Sequence, residues 1–401
     1  MTTETAADST VFAPPVQGDP ACDGNLWRLI GYSVFVYLCS RLLTLAAASL
    51  LTYVRPELGV VRVLASTWDG GLYQAVLTEG YPDGGPSDDP RGLVGTAAFF
   101  PLYPMIIRIV VTFLDVSIPT ASLLVSLTFG ALAVVLVALV ARLVAGSTVA
   151  QRTATLFSFG PGAFVFSLAY SEGVMISFAA ACLFCLLRRQ WFLAGVAGAL
   201  ATAARPNAVV VVACCSWAAW RAVRKDGDRD WRALAAPLLA PLGGLAFLTF
   251  LYLRTGEPTY WFMVQREVWH DHINFGVSTA QRLVALVADP LATPNRVLFG
   301  LSLLLTIALL AVLVRAGLPA ELNLFACGII LLAAMSNVLY PNPRFLLTAF
   351  PLTIALALRL GTPAYRLVLA ASAAAMPLFL LFYAIGSAEQ ANFPLQYFVA
   401  P

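Results

Sequence analysis

The chain has 401 residues; 60% are hydrophobic, only 11% are charged, and the mean hydropathy is +0.82. A water-soluble chain covers itself with about 25% charged residues, so this composition excludes a soluble globular protein and implies a surface that faces lipid. The formal net charge of +3 is small and scattered, which excludes a nucleic-acid-binding face.

Residues 1–24 are polar and contain proline, and read as a disordered tail. The tail has no basic n-region, and the apolar run after it is too long for a signal peptide, so that run is predicted to be a retained first transmembrane helix. A crossing needs roughly 20 apolar residues. Candidate runs cover 27–53, 99–116, 119–144, 149–169, 171–187, 191–222, 233–253, 296–315, 320–340, 343–360 and 364–386. The expected fold is an all-α polytopic membrane protein, a bundle of about 10–12 transmembrane or re-entrant helices, with 25–401 forming a single transmembrane domain. Two longer polar segments, 55–98 and 254–295, interrupt the pattern.

Arginine placement sets the orientation. The stretch from Arg221 to Arg232 is the most basic and is expected inside; the 55–98 loop is net acidic and is expected outside. Placing Arg142, Arg152 and Arg188 all inside requires one segment not to cross fully. Phe99-Phe100-Pro101 and Phe159-Gly160-Pro161-Gly162 are the expected re-entrant breaks, and Ala204-Arg205-Pro206-Asn207 divides 191–222 into two half-helices. Breaks at membrane depth are tolerated only where protein buries them or a cavity runs beside them. Arg41, inside the first span, either snorkels or pairs structurally. Six of the seven cysteines lie in apolar runs and read as helix packing, Cys182-x-x-Cys185 included.

The 55–98 loop contains Trp68-Asp69-Gly70-Gly71-Leu72-Tyr73, running on to Glu79-Gly80-Tyr81. Thr67 or Asp69 could N-cap a short amphipathic helix ended by Gly80, lying at the membrane surface with Trp68 and Tyr73 as interfacial anchors. Asp69 has two readings: a helix cap, or a carboxylate held at headgroup level as a general base for a hydroxyl. Glu172, an acid at an apolar boundary, is either a site residue or a structural partner of arginine. His270-x-His272 with Asp271 offers only two good metal ligands where a closed site needs four, so no metal is expected. The histidines read as solvated loop residues or as contacts to phosphate or sugar.

Trp68-Asp69-Gly70-x-x-Tyr73, Glu79-Gly80-Tyr81 and Ala98-Phe99-Phe100-Pro101-Leu102-Tyr103-Pro104, in that order, resemble the class V GPI mannosyltransferases and their bacterial relatives. Ala169-Tyr170-Ser171-Glu172 and Ala204-Arg205-Pro206-Asn207 are similar to two further segments of that family, with looser matches at Gln265-Arg266 and Pro343-Arg344-Phe345. The 82–95 insert is longer and more acidic than the family pattern. The resemblance implies a GT-C glycosyltransferase moving a sugar, most simply mannose, from a polyprenyl-phosphate carrier to a glycolipid or glycan acceptor on the non-cytoplasmic face. It assigns Asp69 as general base and implies no cofactor and no metal. Substrate contacts are then expected at Trp68, Tyr73, Glu172, Arg205, Arg266, His270, His272 and Arg344. Arginine suits the departing phosphate because its planar fork binds phosphate bidentately, and Arg344 begins a helix whose N–H groups also favour an anion. The location implied is the plasma membrane of a bacterium, favoured by the arginine-rich, lysine-poor composition, or the endoplasmic reticulum of a eukaryote. The alternatives are a transporter or flippase of a lipid-linked glycan, to which the helix breaks also belong, and a non-catalytic subunit of a glycosylation complex.

Overall fold

The computed structural model describes residues 23–56, 59–84, 93–224 and 230–390. The tail expected over 1–24 lies outside them, apart from the two residues that open the first helix, as does the acidic centre of the 82–95 insert.

The described chain is helical throughout, with one isolated antiparallel bridge between Ile273 and Ser336. Helix α1 (Asp23–Val54) is followed by two short helices, α2 (Val60–Ser66) and α3 (Asp69–Thr78), then α4 (Leu102–Leu114) and the long α5 (Ile118–Ser158). Ser117 caps α5 by accepting the Thr120 amide, and Gly146, at φ 84°, breaks the helix internally. Next come α6 (Glu172–Leu187), α7 (Trp191–Ala204), α8 (Val210–Arg224), α9 (Ala235–Leu239) and α10 (Leu242–Thr255). The second polar segment holds α11 (Tyr260–Glu267) and α12 (Val277–Ala288). The chain then closes with α13 (Pro294–Ala316), α14 (Ala320–Met335), α15 (Pro343–Thr348), α16 (Pro351–Arg359) and α17 (Thr362–Gln390).

Among the described residues, six helical stretches are long and apolar enough to cross a membrane: 26–54, 118–158, 206–224, 231–255, 295–316 and 362–387. A seventh is bent by 112° between the 3-10 turn Pro161–Ser167 and α6, and four shorter apolar helices complete the bundle. The expected crossing over 149–169 is corrected: helix α5 ends at Ser158, and 159–171 is the broken segment. The run 343–360 likewise divides into α15 and α16, because Pro351 cannot continue the hydrogen-bond ladder of the helix before it.

A break inside an apolar bundle frees backbone carbonyls that need donors. Arg41 of α1 supplies them. Its guanidinium donates to the Ala163 carbonyl at 2.7 Å, the Ser158 carbonyl at 3.2 Å and the Ser167 hydroxyl at 2.8 Å. It also lies over the Tyr37 and Phe166 rings, 5.0 and 5.9 Å from their centroids. Of its two readings, then, Arg41 pairs structurally and does not snorkel. By satisfying the broken segment it fixes the path of the chain into Tyr170-Ser171-Glu172. The second expected break is also present: α7 ends at Ala204, and Arg205 is extended at φ −157° and ψ 147° before the chain turns into α8.

Candidate active site

Helix α3 begins at a strained point. Trp68 precedes it with φ 47° and ψ −116°, a conformation that L-residues avoid. Two bonds to the last helix hold it there: the indole N–H donates to the Tyr383 carbonyl at 3.0 Å, and the Trp68 amide donates to the Ser387 hydroxyl at 3.2 Å. Asp69 is therefore the first helical residue and caps nothing, and the Thr67 hydroxyl donates instead to the Val63 carbonyl. A glycine follows because α3 starts against α2, where a β-carbon at Gly70 would overlap the Ala65 carbonyl oxygen. Gly80 closes the helix in a left-handed conformation, as expected.

Trp68 and Tyr73 are not interfacial anchors. They are only 9% and 3% exposed, because the aromatic face of α3 turns into the bundle. The Tyr73 ring packs edge-on against Phe99 and Tyr103 with centroids at 4.9 and 4.8 Å, and its hydroxyl bonds Ser171 at 2.5 Å.

The side chain of Asp69 meets Arg344, distant in sequence, and through it a wider charged group. Arg344 bridges two acids, donating through Nη2 to Asp69 and through Nε to Glu172. Arg205 pairs with Glu172 at 3.1 Å and donates to Ser171, also at 3.1 Å. The Tyr170 ring lies 4.6 Å under the Arg344 guanidinium. Two acids and two arginines thus form a formally neutral group, and its members differ in access. The Glu172 side chain is 2% exposed, Arg344 12%, Arg205 16% and Asp69 20%, so Glu172 is the inner anchor and Asp69 the outermost carboxylate.

The electrostatics follow from this pairing. Burial alone would raise the Asp69 pKa, but the charges of Arg344 and Arg205 and the bond from Arg344 outweigh it and hold the carboxyl below its ordinary value. Burial likewise opposes the charge on Arg344, yet Asp69 and Glu172 push its pKa above the usual arginine range. Burial pushes the Tyr73 phenol up to about 12, so at neutral pH it is a hydrogen-bonding group and not a base.

Arg344 is positioned by its neighbours in the chain. Asn342 caps α15 by accepting the amides of Arg344 and Phe345. This corrects the expectation that the helix start offers N–H groups to an anion: the Asn342 side chain already takes two of them, so any anion would meet the guanidinium. The start of α15 also lies directly on the broken segment, where a β-carbon at Gly162 would overlap the Pro343 carbonyl oxygen. The Phe-Gly-Pro-Gly break thus sets the approach of Arg344 to Glu172.

The remaining expected contacts lie elsewhere. Arg266 is 67% exposed and pairs with its neighbour Glu267 at 2.8 Å. His270, at φ 51°, is exposed, and its carbonyl accepts from the Asn337 amide at 2.7 Å. Arg266 and His272 line a separate cleft of about 640 Å³ between α8, α10 and α11. Within the described residues no cluster of three or more His, Cys, Asp or Glu has the geometry of a metal site.

Sequence reasoning missed three contributors: Tyr170 and Ser171, which stand beside Glu172 in a quoted motif, and the 383–387 turn of α17. The first two were legible as neighbours of the acid. The last had no local signal, since its contribution includes a backbone carbonyl.

No protein-family model matches the sequence, and no curated protein is found similar to it. In structure the chain is similar to ArnT from Cupriavidus metallidurans, solved bound to undecaprenyl phosphate, with a TM-score of 0.52 over 91% of this chain and 73% of that one, at 12% identity. The all-α, polytopic membrane fold expected is thus shared with that protein.

Proposed function

We propose that the chain is a membrane glycosyltransferase that transfers a sugar, mannose, from a polyprenyl-phosphate carrier to a lipid-linked or glycan acceptor on the non-cytoplasmic face. The observation that carries this reading is the Asp69 carboxylate, partly exposed and ionised, set against Arg344. Two further facts support it: the fold is shared with a protein solved with undecaprenyl phosphate, and the motifs around Asp69 resemble the class V mannosyltransferases.

The chemistry is an inverting displacement. The acceptor hydroxyl attacks the anomeric carbon and gives its proton to Asp69, while the bond from that carbon to the phosphate oxygen breaks and its electron pair leaves with the polyprenyl phosphate. A base must lie within hydrogen-bond reach of the hydroxyl, and the more exposed acid of the pair meets that demand. Its depressed pKa leaves it ionised but weakly basic while Arg344 holds it. When the guanidinium turns towards the departing phosphate, the pairing loosens and Asp69 becomes a stronger base at the moment it is needed. Arg205 adds positive charge, and Glu172 keeps both arginines in place. Trp68 and Tyr73 aim α3. No step requires a metal or a nucleotide sugar. We read the location as a bacterial plasma membrane, from the arginine-rich, lysine-poor composition.

The test is transfer from radiolabelled polyprenyl-phosphate-mannose in membranes carrying wild type or Asp69→Asn. A labelled glycolipid or glycan made by wild type alone is the expected result. Equal transfer by a normally expressed Asp69→Asn protein sinks the base assignment. If the purified protein moves labelled lipid across liposomes with its headgroup unchanged, the transporter reading replaces the transferase.

A further inference from the structure

The cleft of about 640 Å³ lies one break away from the charged group, with Asn207 two residues beyond Arg205. Its walls are apolar and come from two candidate membrane spans, 206–224 and 231–255. Two residues of these walls reach the surface of the candidate spans: Val209 is 52% exposed and Leu245 51%. A long apolar chain can therefore enter from the bilayer without passing through water.

The other end of the cleft is polar and holds two buried groups that nothing among the described residues satisfies: the Asn207 amide oxygen, an acceptor, and the Trp261 indole N–H, a donor. An unmade bond at a buried polar atom costs about 1–3 kcal/mol, so a donor and an acceptor left open on one cleft point to a ligand that supplies both. Trp261 also brings an aromatic ring to this end, held edge-on against Phe100 at 6.0 Å.

The charge at this end decides the headgroup. Arg266 is already paired with Glu267, and the Asp271 carboxylate accepts from the Ser336 hydroxyl at 2.6 Å, so acids and cations are mixed. A bare polyprenyl phosphate offers no neutral hydroxyl to donate to the Asn207 oxygen, so the group that fits is a sugar, whether on the acceptor or on the donor. Sugar hydroxyls both donate and accept.

We infer that this cleft is a glycolipid site, with the lipid chain lying along Val209, Val212, Leu245 and Leu248 and a sugar headgroup bonded to Asn207 and Trp261. Its role as the acceptor site rests on the transferase reading; the binding itself does not.

The experiment is photolabelling of the purified full-length protein in phosphatidylcholine nanodiscs, using a long-chain alkyl mannoside with a diazirine in its chain. Labelled peptides are mapped by mass spectrometry. Label should fall on the segments around 207–212 and 244–248. Excess decyl mannoside should remove it, and farnesyl phosphate, an isoprenoid phosphate with no hydroxyl headgroup, should not. Trp261→Phe keeps the ring and removes the donor, and should weaken labelling roughly three- to tenfold. Leu245→Trp narrows the cleft from an exposed position, breaks no buried bond, and should block labelling. Asp69→Asn should label like wild type, so failure of the transferase reading leaves this result standing. Label outside the cleft, labelling unchanged by both Trp261→Phe and Leu245→Trp, or stronger competition by farnesyl phosphate than by decyl mannoside overturns the inference; the last outcome makes the cleft a carrier-phosphate site.

Discussion

The two places where this chain gathers polar side chains are built in opposite ways. The group around Asp69 draws four charged residues from four distant segments and pairs them around Glu172, which is almost inaccessible. The segment holding Arg266, His270 and His272 collects its charges within a few residues, leaves them exposed, and pairs Arg266 with its immediate neighbour. Charge withdrawn from water persists only when compensated, so the first arrangement needs distant segments to bring its charges together, whereas the second pairs Arg266 locally and uses Ser336 and Asn337 only to hold the loop. Residues rich in chemical potential on paper need not be those that a fold invests in.

That contrast is broken or sharpened by substitution. The largest effect is expected for Asp69→Asn, with transfer lowered at least about a hundredfold at normal expression; an assay of labelled mannose transfer reads it directly. Next is Glu172→Gln, which leaves two buried arginines short of an acid and should cost about 3–5 kcal/mol of stability, seen as a large fall in the detergent-solubilised melting temperature. An unchanged melting temperature would show that Glu172 is no anchor. Arg344→Lys keeps the charge but loses the fork that reaches both acids, and a loss of roughly ten- to a hundredfold in turnover is expected with the protein still folded. The smallest effect belongs to the other region: Arg266→Gln removes an exposed ion pair, worth no more than about 1 kcal/mol, and transfer should change by less than about twofold. A large loss there would erase the distinction drawn above.

Acid provides a further test. The folded-state pKa of Asp69 is depressed, so its pairing contributes stability that is fully present above the ordinary carboxylate value of 3.8 and is lost as pH falls below it, towards the lower folded-state value. Wild type should therefore lose stability through this window in thermal melts taken at stepped pH, and Asp69→Asn should lack that component. The same sign predicts that transfer persists at a pH where an unpaired carboxylate would already be half protonated.

Much of the fold was legible because apolar runs of about 20 residues announce helices in lipid. The breaks at Pro161-Gly162 and Arg205-Pro206 were legible from proline and glycine. That the run counted as a crossing over 149–169 is instead the last part of one long helix, Ile118–Ser158, was not legible. In the site, Glu172, Arg205 and Arg344 were readable as charges in or beside apolar runs and Asp69 as an acid of the polar loop; a pairing of Glu172 with arginine was legible, but the bridge from Arg344 to both acids was not, because it depends on where Gly162 lets α15 settle. Trp68 and Tyr73 were misread as surface anchors for a related reason: an aromatic residue on a short helix looks alike whether it faces headgroups or Tyr103. Arg266 entered the expected contacts through a loose motif match at Gln265-Arg266, which carries no signal of its pairing with Glu267 or of its distance from Asp69 in the fold.

The ion pair between Arg344 and Asp69 spans 275 residues of sequence. A ribosome adding about 5–20 residues per second makes the acid some tens of seconds before its partner, and the Tyr383 carbonyl that steadies Trp68 comes later still. Throughout that interval Asp69 lacks the guanidinium that bonds it, and Arg205, made earlier, is the cation already at hand. The charged group is complete only once α15 has been made, so its assembly is an event of late translation.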